Sequence, residues 1–201
     1  MNNIYFDTET SGLRPGQIGQ LAVIIEGTDG IKAKNYYLDM KSIEPGAAEV
    51  TGRNLEFYHK ASGGKIFKDY ADEIENIFNG NRIIAHNVQF DEAFLSMELF
   101  RVGKNFHIGQ RFDTMTFFQP IMKLPSKNSK DLYKKPKLIE LIQYLKINEN
   151  EVAKYTSELF NIDSNSFHDA MYDTTSMYIA CKVWNDTQSG TKQFIDRFII
   201  K

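Results

Sequence analysis

The sequence predicts an α/β fold, and three observations lead to this prediction. Short runs rich in branched and aromatic apolar residues occur five times along the chain, as expected for strands. The first three runs are separated only by turns, whereas the fourth leads directly into apolar residues at helical spacing. No clear linker divides the 201 residues, so we expect a single domain that covers residues 1–201.

Strands and helices can be assigned in order along the chain. The first three strands are close enough in sequence to form an antiparallel meander. The predicted strands cover residues 4–9, 20–26, 32–40, 82–86 and 111–115. The predicted helices cover residues 66–78, 87–101, 138–145, 149–160 and a stretch from 169 or 170 to 184, with short helical turns in the irregular stretch 43–64. We expect Asn87 to cap the second of these helices.

Composition and charge restrict the class of protein. Hydrophobic residues make up 42%, charged residues 25% and aromatic residues 13%, which is typical of a folded globular protein. The formal net charge of -2 and the pI near 6.1 argue against binding long nucleic acid by bulk electrostatics. A site that grips only a short end of a nucleic acid remains compatible with this charge.

Cysteine content and hydropathy indicate the compartment. Cys181 is the single cysteine, which excludes an intrachain disulfide and a zinc site built on a cysteine cluster. No stretch approaches the roughly 20 apolar residues of a membrane span, and residues 1–3 lead directly into a strand. We therefore expect a cytoplasmic protein with no membrane partner.

Two carboxylates lie in the first strand, at Asp7 and Glu9. Because side chains alternate along a strand, both point to the same face of the sheet. Like charges side by side are costly unless a partner cancels them, and a hard divalent cation is the usual partner of an Asp-x-Glu pair. Taken alone, the pair fits a metal site and a solvent-facing strand end equally well.

Further acids and a histidine follow where strands end and helices begin. Asp91 lies in the first helical turn after a strand, where open α/β sheets place ligands, although the helix dipole alone also favours an acid there. Asp173 lies on the apolar face of the last long helix, and His168 can share its site only if it precedes that helix. Alternatively, His168 is a polar residue near a helix end and Asp173 is a solvent-facing acid on a slightly wider helix face.

One stretch is locally basic, between residues 122 and 137. Its lysines surround Tyr133 and are Lys123, Lys127, Lys130, Lys134, Lys135 and Lys137. Such a loop is most often only solvated, but lysines beside an aromatic ring can also guide a phosphate backbone and a stacked base. Both interpretations stay open.

Three motifs in this order resemble the DEDD family of 3′-to-5′ exonucleases, in its histidine subclass, DEDDh. The motifs are Phe-Asp-Thr-Glu-Thr-Ser-Gly-Leu at residues 6–13, Ala-His-Asn-Val-Gln-Phe-Asp at 85–91 and His-Asp-Ala-Met-Tyr-Asp at 168–173. Polymerase proofreading subunits and ribonuclease T belong to this subclass, and the resemblance runs from about residue 4 to 184. It implies a ribonuclease-H-like fold, with a central mixed five-stranded sheet flanked by helices.

The resemblance also implies a catalytic set. Asp7, Glu9 and Asp173 would hold the metal ion on the nucleophile side, Asp7 would bridge to a second ion, and Asp91 would help to hold that second ion. The cofactors would be two Mg²⁺ or Mn²⁺ ions. His168 would be the general base that takes a proton from the attacking water, for which its ordinary pKa near 6.5 is suited.

Substrate contacts follow from the same resemblance. The residues implied are Thr8, Thr10, Gly12, Leu13, His86, Asn87 and Phe90, with Leu13 wedged against a base. From the residues alone, His59, His86 and His107 are interpreted as structural. The expected partners are single-stranded 3′ ends, DNA or RNA, together with a DNA polymerase in replication and repair.

Alternatives remain at this level. The residue at position 20 is glutamine where family members often have glutamate, and the lysine-rich loop is long, so a proofreading subunit and a stand-alone nuclease are both open. DNA is favoured as the substrate, with RNA trimming as the main rival. A protein of another class, a catalytically idle module that binds a nucleic-acid end or a polymerase, would need a broken acid set.

Overall fold

A five-stranded mixed sheet forms the centre of the molecule in the computed structural model, which describes residues 1–127, 132–162 and 169–200. The strands lie in the order β3-β2-β1-β4-β5, with β1 in the middle. They are β1 (Asn3–Thr10), β2 (Ile18–Gly27), β3 (Gly30–Tyr37), β4 (Arg82–Ala85) and β5 (Gln110–Asp113).

Strand direction changes at β1. The strands β1, β2 and β3 are antiparallel neighbours, whereas β4 runs parallel to β1 and β5 runs parallel to β4. This arrangement confirms the predicted meander followed by parallel strands. On β2, Ala22 lies opposite Asp7 and Gln20 lies opposite Glu9.

Helices cover both faces of the sheet. Within the described residues they are α1 (Pro45–Thr51), α2 (Leu55–Ser62), α3 (Ala71–Phe78, preceded by a 3₁₀ turn at Phe67–Tyr70), α4 (Val88–Arg101), α5 (Thr114–Met122), α6 (Leu138–Tyr144), α7 (Glu149–Phe160), α8 (Ala170–Ser189) and α9 (Gln193–Phe198). None of the helices in this part of the chain combines the length and the apolar character that a bilayer span requires.

The alternation of side chains along β1 divides the core into two layers. Phe6 points to the face covered by α3 and α4, where its ring meets Phe78 edge-on at 5.0 Å. Tyr5 points to the opposite face and meets Tyr178 of α8 edge-on, also at 5.0 Å. Residues 7 and 9 continue the Tyr5 side, so the two carboxylates lie on the face that α8 covers.

The prediction of a strand through residue 115 is wrong at its end, because β5 stops at Asp113 and α5 begins at Thr114. Threonines and two phenylalanines give residues 114–118 the composition of a strand, and Pro120 argues against a helix. A local cap and tertiary packing together override both signals. The Asp113 carboxylate accepts the Thr116 N–H at 3.1 Å, and α5 buries Phe118 in the core. No helix was predicted at α9 either.

Asn87 occupies the capping position of α4, but its side chain makes no capping hydrogen bond, so the predicted cap is wrong in its chemistry. Asn87 has the left-handed φ of 84°. The Asp113 carboxylate, from the neighbouring strand, accepts the N–H groups of Asn87 and Val88 at 3.4 and 3.2 Å. One carboxylate therefore caps two helices, α4 and α5.

Candidate active site

The start of α8 lies directly over the pair of acids on β1. Ala170 and Met171 pack on Ala22, the β2 residue opposite Asp7, and the small Ala22 side chain lets the helix approach closely. The Thr174 hydroxyl donates to the Ala22 carbonyl at 3.4 Å. Asp173, in the first turn of α8, is thereby brought to the same end of the sheet as Asp7.

Asp91 reaches the same place from α4. Strand β4 ends at Ala85 while β1 continues to Thr10, so the N–H of Thr8 has no strand partner on that side. The Asp91 carboxylate accepts this N–H at 3.1 Å and the Thr8 hydroxyl at 2.7 Å, and Asp91 is 3% exposed. The first-turn acid is therefore fixed to the strand that carries Asp7 and Glu9.

The acids are close enough to influence one another. Burial, together with the negative charges of Asp91, Asp173 and Glu9, raises the pKa of Asp7 well above its usual range. Burial and then Asp173 raise the pKa of Glu9 to about 7, against the opposing effect of Arg53. Three elements that are distant in sequence thus bring their carboxylates into one electrostatic neighbourhood.

The pKa of Asp91 is also raised to about 7, chiefly by burial and partly offset by the hydrogen bonds from Thr8. Among the residues that the structure describes, no three His, Cys, Asp or Glu side chains already converge on a single point in a geometry that would hold a metal ion. The acids are therefore neighbours without being a closed set of ligands. His168, the predicted general base, lies outside the described residues.

A buried arginine lies beside the acids. Arg53, between α1 and α2, is 8% exposed, and its Nη1 donates to Gln20 Oε1 at 2.6 Å. Its Nη2 donates to Asp169 Oδ2 at 3.3 Å. Sequence analysis missed this residue, and no local signal marks it, because its partners are 33 and 116 positions away along the chain.

The predicted substrate contacts lie mainly around the end of β1. Thr10 is buried and its hydroxyl donates to the Gly12 carbonyl at 2.9 Å. Gly12 is closely packed, because a Cβ atom there would lie 2.3 Å from Glu44 Cδ. Leu13, in contrast, is 84% exposed and open to a ligand.

The other predicted contacts follow β4. Phe90 is half-buried against Phe94, with ring centroids 4.9 Å apart. Both ring nitrogens of His86 are used within the protein: Nδ1 lies 2.9 Å from the Thr114 hydroxyl and Nε2 lies 2.9 Å from the Pro136 carbonyl. This geometry favours the structural interpretation of His86.

Two clefts can be compared with these positions. A cavity of about 400 Å³ is lined by Asp173, Tyr172, Glu149 and Lys137, so one of the four acids, Asp173, borders it. Another cavity, of about 470 Å³, lies between α5, α8 and the beginnings of the parallel strands. None of the four carboxylates lines this second cavity, and the first is therefore the candidate substrate cleft.

Part of the basic stretch is described. Lys134 forms an ion pair with Glu140, and its N–H donates to the Leu124 carbonyl at 2.9 Å, which closes the base of the loop. Tyr133 is half-exposed. Lys137 lines the cleft that contains Asp173, and Lys130 lies outside the described residues.

Known proteins are similar to this chain in sequence and in fold. A family model described as Exonuclease matches residues 4–180. DNA polymerase III subunit epsilon from Buchnera aphidicola subsp. Acyrthosiphon pisum is 31% identical over 115 residues, which cover 52% of this chain and 47% of that protein. The same subunit from Buchnera aphidicola subsp. Schizaphis graminum is 30% identical over 118 residues, covering 52% and 49%.

Solved structures show the same fold. E. coli exonuclease I in complex with a dT13 oligonucleotide superposes with a TM-score of 0.66 at 19% identity, covering 94% of this chain and 42% of that one. This likeness confirms the predicted ribonuclease-H-like architecture. The chain spans about half the length of the curated relatives it matches. Since the family model extends over residues 4–180, most of the chain, this protein belongs to the exonuclease family.

Proposed function

We propose that the chain is a divalent-metal-dependent 3′-to-5′ exonuclease, which removes nucleoside 5′-monophosphates from a single-stranded or frayed 3′ end. The observation that carries this proposal is the meeting of Asp7, Glu9, Asp91 and Asp173 at one end of the sheet, from three separate elements. A bound cation would relieve the repulsion between these carboxylates, which raises their pKa values.

The donor set fits a hard divalent cation. Carboxylate oxygens are the ligands that Mg²⁺ and Mn²⁺ prefer. The proposed set offers four carboxylate groups and no cysteine. In our proposal Asp7, Glu9 and Asp173 hold one ion, and Asp7 and Asp91 hold a second. When bound, such ions lower the pKa of a water and offset charge on the leaving oxygen.

His168 is proposed as the general base. Water attacks the phosphorus of the terminal phosphodiester, the bond from phosphorus to the 3′ oxygen breaks, and the proton of the water passes to His168. The leaving 3′ oxygen takes up a proton and becomes the new 3′ hydroxyl. The support for this role is the position of His168 in the motif, one residue before the cap of α8.

Single-stranded DNA is the favoured substrate. The exonuclease I structures were solved with dT13 and dA16 oligonucleotides, and the Buchnera relatives are named as DNA polymerase III subunits. The exposed Leu13 beside the end of β1 would rest against the terminal base. RNA is the alternative substrate, and a DNA polymerase is the proposed protein partner.

A degradation assay tests the proposal. Asp7→Asn should slow the digestion of a 5′-labelled single-stranded DNA by more than about 100-fold, since even residues that only support metal ligands contribute 10–100-fold. Asp29→Asn, in the exposed turn between β2 and β3, is the matched control and should digest at the wild-type rate. Equal rates for Asp7→Asn and wild type would contradict the proposal.

The same assay separates the alternatives. A binding module without catalysis would retain the oligonucleotide in Mn²⁺ without shortening it, and calorimetry would show no binding of Mn²⁺. Matched DNA and RNA oligonucleotides, digested side by side, then decide between the two substrates, because the 2′-hydroxyl is the difference that a site can read.

A further inference from the structure

We infer that Arg53 is a positioning residue, which holds the strand-borne and helix-borne halves of the carboxylate cluster in register. The inference rests on the proposed metal-dependent function, because it concerns the same acids. The strand-borne half is Asp7 and Glu9, and the helix-borne half meant here is Asp173 of α8. Asp91 of α4 is fixed separately, by Thr8.

The contacts of Arg53 connect these two halves. Its Nη1 donates to Gln20, which lies opposite Glu9 on the neighbouring strand. Its Nη2 donates to Asp169, which caps α8, and the Asp169 carbonyl accepts the N–H of Asp173 at 3.1 Å. A continuous path of bonds therefore runs from the strand beside Glu9 to the turn that carries Asp173.

Each partner of Arg53 is itself fixed by a further contact. Gln20 Nε2 donates to Asn35 Oδ1 at 2.9 Å, which determines that the Gln20 oxygen faces Arg53. The second oxygen of Asp169, Oδ1, accepts the N–H groups at the start of α8, from Met171 at 2.8 Å and Tyr172 at 3.2 Å. The guanidinium also lies 4.7 Å above the Phe57 ring.

Stability alone does not explain why an ion pair is buried here. Replacing a buried ion pair by apolar residues is often neutral or stabilising, so the pair of Arg53 and Asp169 is explained better by the geometry that it imposes. The planar guanidinium fork suits this task, because it fixes two acceptors at a defined separation. A lysine at the same position would supply the charge without the fork.

Positioning and simple charge predict opposite results for metal binding. The positive charge of Arg53 near the acids repels a divalent cation, so its removal alone should strengthen the binding of Mn²⁺. Loss of register between Glu9 and Asp173 should instead weaken binding. The sign of the change therefore distinguishes the two roles.

The experiment measures the affinity of the whole chain for Mn²⁺ by calorimetry, below the melting temperature. Arg53→Met, which fills the space over Phe57 without donors, and Arg53→Lys, which keeps the charge, should both bind Mn²⁺ about 10-fold or more weakly. Arg111→Met is the control, because Arg111 also holds a carboxylate, that of Glu92, but at the exposed surface. The control should bind like wild type.

Gln20→Met provides a second test that neither removes the arginine nor changes the charge near the acids. It deletes the oxygen that accepts the hydrogen bond from Arg53 Nη1 and keeps a similar side-chain length. The same weakening of Mn²⁺ binding is expected, and it keeps the inference testable if the Arg53 variants fail to fold. At saturating Mn²⁺ the digestion rate of the variants should return to within a few-fold of wild type.

Two outcomes would overturn the inference alone: Mn²⁺ binding by Arg53→Met that is equal to or tighter than wild type, or a lower melting temperature with unchanged affinity. A wild-type chain that binds no Mn²⁺ and digests no oligonucleotide would overturn the proposed function itself, and the inference with it. The wild-type measurement therefore separates the two failures.

Discussion

Thr8 links the two sides of the acid cluster at the scale of single residues. It points to the α4 face, away from Asp7 and Glu9, and gives both its N–H and its hydroxyl to Asp91. These hydrogen bonds favour the charged form of Asp91 and so oppose the effect of burial on its pKa. A residue with no titratable group thereby stabilises the charged form of a buried acid.

Thr8→Val tests this role, because valine keeps the branched shape and removes only the hydroxyl. Hydrogen bonds to charged groups contribute about 1.5 to 3 kcal/mol, so we expect a clear loss of free energy of unfolding in urea. The Mn²⁺ concentration that gives half the maximal digestion rate should rise about 10-fold. Thr28→Val, in the exposed β2–β3 turn, is the control, and a Thr8→Val chain that matches it would exclude the role.

His86 makes stability depend on pH. Burial lowers the pKa of His86 below its ordinary value of 6.5, and the ring is held by Thr114 and Pro136. Since the unfolded chain binds the proton more readily, the stabilisation is complete above pH 6.5 and is lost as the pH falls through 6.5 toward the lower folded pKa.

We therefore expect the stability difference between wild type and His86→Gln to shrink between pH 7.5 and pH 5. Thermal unfolding of both chains at several pH values measures it. The difference isolates this histidine from Glu9 and Asp91, whose raised pKa values act in the opposite direction. A difference that stays constant over this range would show that His86 keeps its ordinary pKa.

At the scale of elements, Asp113 connects one strand to two helices. Its carboxylate ends β5, caps α5 through Thr116, and caps α4 through Asn87 and Val88. Helix α4 carries Asp91, so this cap also determines where that acid enters the site. A single side chain thus couples the end of one strand to the beginning of two helices.

Asp113→Ala should lower the free energy of unfolding by about 2 kcal/mol or more, since one lost cap costs about 0.5 to 2 kcal/mol and two helices are affected. Asp113→Asn, which keeps one acceptor oxygen, should lose less. Chemical denaturation measures both, with Asp29→Ala as the control. If Asp113→Ala and Asp29→Ala unfold at the same denaturant concentration, the double cap contributes nothing.

The whole molecule should be stabilised by its cation. A ligand that binds only the folded state adds about 2.7 kcal/mol at 100 times its dissociation constant. Mn²⁺ should therefore raise the melting temperature of the wild-type chain, and EDTA should reverse the change. The rise should be smaller in Asp173→Asn, which loses a ligand of one of the two proposed ions, and an equal rise in that variant would place the Mn²⁺ elsewhere.

The fold and the family were largely accessible from the sequence. Helix α7 begins and ends where predicted, α8 begins at Ala170, one of its two predicted starts, and the order of the acid motifs leads to the exonuclease family. The limits of these helices depend on neighbours within about four positions along the chain, which periodicity and capping reveal. The roles of His168 and of the individual acids stay predictions.

Only the tertiary structure decided what surrounds the acids. The capping of α4 by Asp113 and the path from Gln20 through Arg53 to Asp169 depend on residues brought together from distant parts of the chain. Local propensity carries no information about such contacts, because packing of whole elements determines which side chains meet. The sequence by itself predicted the acids, and the folded chain shows which residues surround them, because those residues meet only when whole elements pack.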